Sequence, residues 1–418
     1  MEEKREKVNL IMEKRFDVVI VGARVGGASL AIRLGEIGKK VLLLDKASFP
    51  SDTLSTHHMS HVEYLKKLGV LEEVETSGLR KINRMRTYIG SSFVEGPRAS
   101  YTIIPKRDHL DHILLKRTKD FPSVTLKENH AVRELIWEGD KVVGVIAEDS
   151  IGYRHSIYCD LVVGADGKHS NIAHWVQAEE YKRQDPLRPV LYGYYEGVKP
   201  LQEPTTEIFL NDGRIGFLFP MEEGRDCLGL EIHPDEFKAM MKSPKESFEQ
   251  LYASLYGMEG RLQKAKLQGR IIGTSGMPNF FRKAYGKGWA LIGDAGHSKD
   301  PSTGLGINDA FMQSFLLAET LQLVDQGESP SQALEAFQEE RDRRLMPGFH
   351  LTLNYVQSLR KWTKNEQALF QAMASNPMVW NKLVPNLSEQ LKREAADIPL
   401  LHESVKLEAE SFGYIPDY

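Results

Sequence analysis

The chain has 418 residues, 41% of them hydrophobic, enough for a large core divided into two or three domains. Lys and Arg total 54 against 58 acids, and the net charge of -4 excludes the broad basic field of a nucleic-acid binder. Cys159 and Cys227 lie far apart without metal or redox spacing, and no apolar run reaches the length that spans a bilayer. The two cysteines suit a reducing, cytoplasmic setting, and the segment Met1 to Lys14 is highly charged and lacks the apolar core of a signal peptide.

The first predicted element is an apolar strand, Phe16 to Val21. It ends in Gly22-Ala23-Arg24-Val25-Gly26-Gly27, followed by a helical run from Ala28 to Ile37 and a second strand, Val41 to Leu44, closed by Asp45. Strand, glycine turn, helix and strand with a terminal acid form the βαβ unit that holds a dinucleotide. The turn lets backbone approach a pyrophosphate, whose charge then sits at the positive end of the helix. Asp45 lies where a carboxylate accepts hydrogen bonds from a ribose, and Lys46 beside it joins the cofactor-binding candidates. Arg24 stands where the fingerprint Gly-x-Gly-x-x-Gly has its second glycine. A guanidinium there is either a charge-assisted phosphate partner or a surface side chain on an ordinary βαβ unit.

Ala47 to His61 is a polar loop. Val62 to Val74 has helical spacing through Leu65, Leu68 and Leu71, and Arg84 to Ile104 alternates as strands broken at Gly90 and at Gly96-Pro97. Pro105 to Arg117 reads as helix. A strand around Val124 to Leu126, a hairpin from Ala131 to Ala147 turning at Glu138-Gly139-Asp140, and a strand from Tyr158 to Val163 follow. From Pro186 the pattern becomes an antiparallel sheet: Val190 to Val198, Thr205 to Leu210, Ile215 to Met221 and Cys227 to Ile232. Ile215, Phe217, Phe219 and Met221 share one face. A buried strand, Trp289 to Ile292, runs into Gly293-Asp294. The remainder is helical, from Asp309 to Gln326 and from Ser331 to about Thr363, where Pro347-Gly348 is expected to kink or break the helix.

Two later segments accompany the glycine turn. Gly164-Ala165-Asp166-Gly167-Lys168-His169-Ser170 and Gly293-Asp294-Ala295-Gly296-His297, with Pro301, Gly304, Gly306 and Asn308, each follow a strand and lead into a helix. Over residues 16 to 325 this order of three motifs resembles the class A FAD-dependent monooxygenases, the para-hydroxybenzoate hydroxylase-like flavoproteins. The resemblance implies an α/β fold: a Rossmann-like FAD-binding domain (15–82, 105–185 and 286–330), an inserted antiparallel-sheet substrate domain (83–104 and 186–285) and a helical C-terminal region (331–418). It assigns Gly22, Gly26 and Gly27 to the FAD pyrophosphate and Asp45 to the adenosine ribose. It also assigns Arg107 to FAD, Asp166 to FAD and NAD(P)H contact, and Gly293-Asp294 to the ribityl or pyrophosphate side. The turn from Pro301 to Asn308 is placed against the isoalloxazine ring, where helix N–H groups stabilise negative charge on reduced flavin.

The resemblance further implies that NADPH or NADH reduces the flavin, that oxygen adds to give a peroxyflavin, and that a hydroxyl passes to a small-molecule substrate. No second glycine fingerprint marks a separate nicotinamide domain, which fits transient NAD(P)H binding or an external flavin reductase. His57 and His58 lie in the loop that approaches the flavin in related proteins. Each is a candidate to deprotonate a phenol or stabilise a charged intermediate, or else holds the loop by hydrogen bonds. Tyr192, Tyr194, Phe217 and Phe219 are candidates to line a substrate pocket, and alternation equally makes them sheet core. Arg214 and Arg225 either orient an acidic substrate or are exposed, and His297 suits a loop role better than zinc because no metal-ligand spacing surrounds it. No metal site is expected, and the oligomeric state is open.

The leading expectation is hydroxylation of an aromatic or related molecule. The alternatives are a flavin-dependent reductase of isoprenoid double bonds, as in the geranylgeranyl reductase relatives, and a non-catalytic FAD-binding protein. A halogenase is disfavoured because no Trp-x-Trp-x-Ile-Pro segment occurs; the nearest place reads Gly216-Phe217-Leu218-Phe219-Pro220.

Overall fold

The computed structural model describes residues 15–53, 55–358, 360–376 and 403–413. The charged segment before Arg15, and 377–402 and 414–418 of the expected helical C-terminal region, lie outside the described residues.

Eight strands form a mixed sheet with a parallel centre. Val124–Lys127, Val41–Leu44, Phe16–Val21, Arg154–Gly164 and Trp289–Leu291 lie side by side in that order, and Tyr285–Gly286 closes the edge antiparallel. The hairpin Ala131–Glu138 and Lys141–Glu148 joins through Arg154–Gly164. The central strands read as apolar runs because both faces are covered. Val18, Ile20 and Leu43 share a core with the helices Val25–Glu36, Arg107–Thr118 and Gly306–Asp325. Val19, Leu42 and Leu44 pack with Val132, Leu135 and Val145 of the hairpin.

The second sheet has seven strands in the order Lys266–Thr274, Val190–Glu196, Arg225–Glu231, Arg214–Pro220, Thr205–Asn211, Ile82–Ile89 and Ser92–Thr102. Its pairs are antiparallel except Thr205–Asn211 with Ile82–Ile89, which run parallel. One face packs on Phe248 and Tyr252 of the helix Pro244–Ala253. The other gathers Ile82, Ile104, Tyr192, Phe217, Phe219, Met221 and Cys227. A small sheet of Glu180–Gln184, Asn279–Arg282 and His297–Ser298 completes the strands.

Four local expectations are refined. The helical spacing over Val62 to Val74 becomes two short helices, Glu63–Lys67 and Leu71–Glu75, because Gly69 turns the chain at φ 72°. Gly96-Pro97 does not end the edge strand Ser92–Thr102, where a missing N–H is tolerated, but the pairing shifts register just past Pro97. The helix expected from Asp309 begins at Gly306. Finally, Pro330–Ser358 continues through Pro347 as one helix, so the proline does not break it. Pro347 itself is exposed, while Leu345 and Phe349 on either side are buried in the main core, so packing outweighs the lost backbone bond. Among the described residues no helix is long and apolar enough to cross a membrane.

Candidate cofactor and active site

The parallel register places three glycine turns at one edge of the sheet. Val21 pairs with Gly164 and with Leu44, and Gly164 with Leu291, so the loops after these strands open on the same crevice at their carboxyl ends. There they line a cavity of about 630 Å³. Of the candidates, Gly22, Arg24, Gly26, Asp45, Lys46, Arg107, Asp166, Gly293, Asp294, Pro301, Gly304, Gly306 and His58 line it. Gly27, Asn308, His57 and the four aromatic candidates do not.

The glycines of the first turn do different work. Gly22 has φ 103°, and a Cβ there would overlap the Ala165 carbonyl; a Cβ at Gly27 would overlap the Gly22 carbonyl. These two hold strand against loop and helix against strand. At Gly26 the nearest atom to a Cβ is 3.9 Å away, yet the residue faces the cavity, so its missing side chain leaves room for a ligand. The helix Val25–Glu36 begins without a side-chain cap, leaving first-turn N–H groups for that ligand. Asp45 stabilises the turn: its carboxylate accepts from Ala23 N at 2.7 Å and from Ala47 N at 2.8 Å.

Arg24 is anchored. Its guanidinium donates to Asp111 at 2.8 Å, to the Ser51 carbonyl at 3.1 Å and to the Asp52 carbonyl at 2.9 Å. Arg107 donates to the same Asp111 at 3.1 Å from one turn earlier on its helix. Asp111 is fully buried, and one carboxylate thus fixes two cavity-facing cations. Asp111 was not foreseen; the visible signal was an acid four residues after Arg107.

The second turn is capped from within. Asp166 Oδ2 accepts from Asn171 N at 2.8 Å, while its Oδ1 is buried without a partner. Burial pushes the Asp166 carboxyl up, against the Ser170 hydroxyl and the N–H groups of the following turn. Burial also raises the Asp294 carboxyl, opposed first by Arg107. At the third turn Asn308 donates to Ser60 Oγ at 3.0 Å, and its Oδ1 is buried and unpartnered. Lys299 and Asp309, also unforeseen, line the cavity as a hydrogen-bonded ion pair. They flank the glycine turn directly in sequence.

His58 approaches the Gly304 carbonyl through Nδ1 at 3.4 Å, and its ring lies 5.4 Å from that of Phe219. His57 is fully buried with φ 59°, and its Nε2 and the Tyr194 hydroxyl are hydrogen-bonded at 2.5 Å. Burial, then the Arg107 charge, lower the His57 pKa to about 3, so the ring is neutral at pH 7. Tyr192, Phe217 and Phe219 are buried in the apolar cluster of the seven-stranded sheet, with Tyr194 packed against it. Arg214 is paired with Glu236 and Asp212, away from the acidic-substrate role considered for it. His297 is buried beside Phe281 at 4.4 Å, and among the described residues no His, Cys, Asp and Glu group has metal-binding geometry.

An open face at Gly26, an uncapped helix start and an unpartnered oxygen on the cavity-lining Asp166 all fit a bound dinucleotide. Residues 15–347 match the FAD binding domain family. The chain belongs to that family. It is an FAD-dependent oxidoreductase related to the class A flavoprotein monooxygenases and the flavin-dependent halogenases. It is 25% identical over 338 residues to the 1H-pyrrole-2-carbonyl-(peptidyl-carrier protein) brominase of Pseudoalteromonas luteoviolacea, covering 75% of this chain and 79% of that one. It is 24% identical over 360 residues to the 6-hydroxy-3-succinoylpyridine 3-monooxygenase HspB of Pseudomonas putida, covering 80% and 86%. Its fold is that of a geranylgeranyl bacteriochlorophyll reductase-like protein from Thermoplasma acidophilum, with a TM-score of 0.75 at 15% identity over 91% of this chain and 99% of that one.

Proposed function

We propose that this flavoenzyme is a monooxygenase that takes hydride from NADPH or NADH and uses O2 to hydroxylate an aromatic or related small molecule. The position of His58 carries the reading: it lines the cofactor cavity, meets the glycine turn at Gly304 and touches the aromatic cluster at Phe219. A substrate seated in the cavity at this turn would meet the His58 imidazole, with the Phe219 ring behind it.

Bound FAD supplies the redox chemistry, accepting hydride and activating oxygen. The residues do the rest. Gly22, Arg24, Gly26, Asp45 and Lys46 would hold the adenosine and pyrophosphate side, with Gly27 letting the helix pack close behind them. Arg107, Asp166, Gly293 and Asp294 would hold the middle, and Pro301, Gly304 and Gly306 the ring, with Asn308 bracing that turn through Ser60. The helix start at Gly306 favours negative charge at that end. His58 would accept a phenolic proton at a ring nitrogen. His57, neutral at pH 7, acts as a hydrogen-bond partner that fixes Tyr194, not as a cation. The buried cluster around Phe217 keeps water from the reacting face.

The apolar makeup of that cluster, with Ile82, Ile104 and Met221 beside the rings, supports a second reading, reduction of an isoprenoid double bond. The deciding experiment mixes FAD-loaded protein anaerobically with NADPH or NADH, follows flavin bleaching with candidate substrates, then admits labelled O2. Label in an organic product supports hydroxylation. An alkane formed without O2 supports the reductase, and a halide-dependent product would move the enzyme to the halogenases. Failure to bleach with either nucleotide would point to an external flavin reductase.

A further inference from the structure

Lys299 and Asp309 sit on either side of the glycine turn, ten residues apart, and both side chains line the cofactor cavity. The Lys299 ammonium donates to Asp309 Oδ2, and the side chains are only 4% and 15% exposed. Asp309 stands in the first turn of the helix Gly306–Asp325, where an acid also complements the helix dipole. A purely structural role would need no more than this. The pair, however, lies where solvent screening is weak and where the bound group changes charge on reduction. The Lys299 charge also reaches Asp294 and His297, both of which line the cavity, so its field extends beyond its partner.

We propose that this ion pair sets the reduction potential of the bound flavin, Lys299 raising it and Asp309 holding it down. The inference rests on the FAD assignment and is independent of the substrate. Two electrons and one proton convert oxidised FAD to its anionic reduced form, adding one negative charge to the site. A fixed cation beside the cavity favours that form and a fixed carboxylate disfavours it. Lys299 and Asp309 are thus potential-setting residues that need not touch the reacting atoms.

The test measures the midpoint potential of FAD-loaded enzyme at pH 7.5 by anaerobic equilibration with a reference dye, using xanthine and xanthine oxidase as reductant. FAD affinity is followed in parallel by flavin fluorescence, and the fold of the apoprotein by thermal melting. The expected pattern has opposite signs: Lys299→Met lowers the potential and Asp309→Asn raises it. Lys299→Arg stays near wild type, and the double variant Lys299→Met with Asp309→Leu falls between the singles. Single variants that leave the potential unchanged, or shift it in the same direction, overturn the proposal. Should Lys299→Met fail to retain FAD, Asp309→Asn decides alone: a rise supports the proposal, and no change or a fall overturns it. Loss of FAD from both single variants while their apoproteins still fold also overturns it, because the pair is then a binding determinant. Wild-type protein that binds no FAD would overturn the cofactor assignment instead, a distinct result.

Discussion

At the first glycine turn the backbone makes the close contacts, and across the seven-stranded sheet the side chains do. Gly22 and Gly27 are fixed by carbonyl oxygens of their own fold, and the first helix offers bare N–H groups. The aromatic cluster instead depends on rings packed against rings, Phe217 on Phe219 at 4.8 Å and Tyr192 edge-on to Tyr194 at 5.8 Å. Backbone contact demands particular residues at particular spacings. Ring packing accepts many solutions of similar volume. On that ground substitutions at the glycine turn should be tolerated less than volume-conserving substitutions in the aromatic cluster.

The largest expected effect on FAD binding tests the backbone half. Gly22→Ala combines left-handed φ with overlap on Ala165, and should abolish FAD retention while destabilising the protein by about 3 kcal/mol or more, read by thermal melting and flavin fluorescence. Gly26→Ala sharpens the comparison, since the protein itself leaves space there. Its apoprotein should melt as wild type while FAD affinity falls ~10-fold or more, a change of about 1.4 kcal/mol. Equal loss of stability in both variants would erase the distinction between packing and ligand-facing glycines.

On the sheet side, burial of His57 ties stability to pH. Its folded pKa of about 3 lies below the ordinary 6.5. The folded state therefore resists protonation, and the associated stability is present above pH 6.5 and drains away as pH falls toward 3, up to about 5 kcal/mol. His57→Gln should flatten the acid limb of a urea-unfolding series; an unchanged limb would refute the assignment. Asp226 has the opposite sign. Burial lifts its carboxyl to about 7, against Arg80 at 3.9 Å. Its contribution is complete below pH 3.8 and is lost as pH rises through 7, so Asp226→Asn should gain up to about 4 kcal/mol at pH 8 relative to pH 3.5. Smallest is Arg24→Ala, predicted to weaken FAD by ~10-fold through loss of a charge-assisted partner; unchanged affinity would make Arg24 a brace for Asp111 alone.

The parallel sheet and the gathering of three turns were legible because glycine spacing and terminal acids report backbone geometry directly. The anchoring of Arg24 and Arg107 on Asp111 was not, since it joins the first helix to one that starts more than 80 residues later. The aromatic residues were ambiguous for a physical reason: alternation records which face of a strand is apolar, not whether that face meets a neighbour or a ligand. Lys299 escaped notice because a lone lysine carries no period, and only its burial against Asp309 distinguishes it. Pro347 does not break its helix because tertiary packing on both sides outweighs a local breaker.

The parallel pairing of Thr205–Asn211 with Ile82–Ile89 has a consequence for how such enzymes diversify. The seven-stranded sheet takes two strands from before the second glycine turn and five from after it. It is therefore not a cassette that can be lifted out between two cuts. A recombined enzyme that exchanged only 186–285 would seat five foreign strands against two native ones, with Ile208 set against Thr87 across the seam. Grafting a new specificity onto this cofactor scaffold requires both stretches to travel together, and gradual change by point substitution within the sheet becomes the easier path.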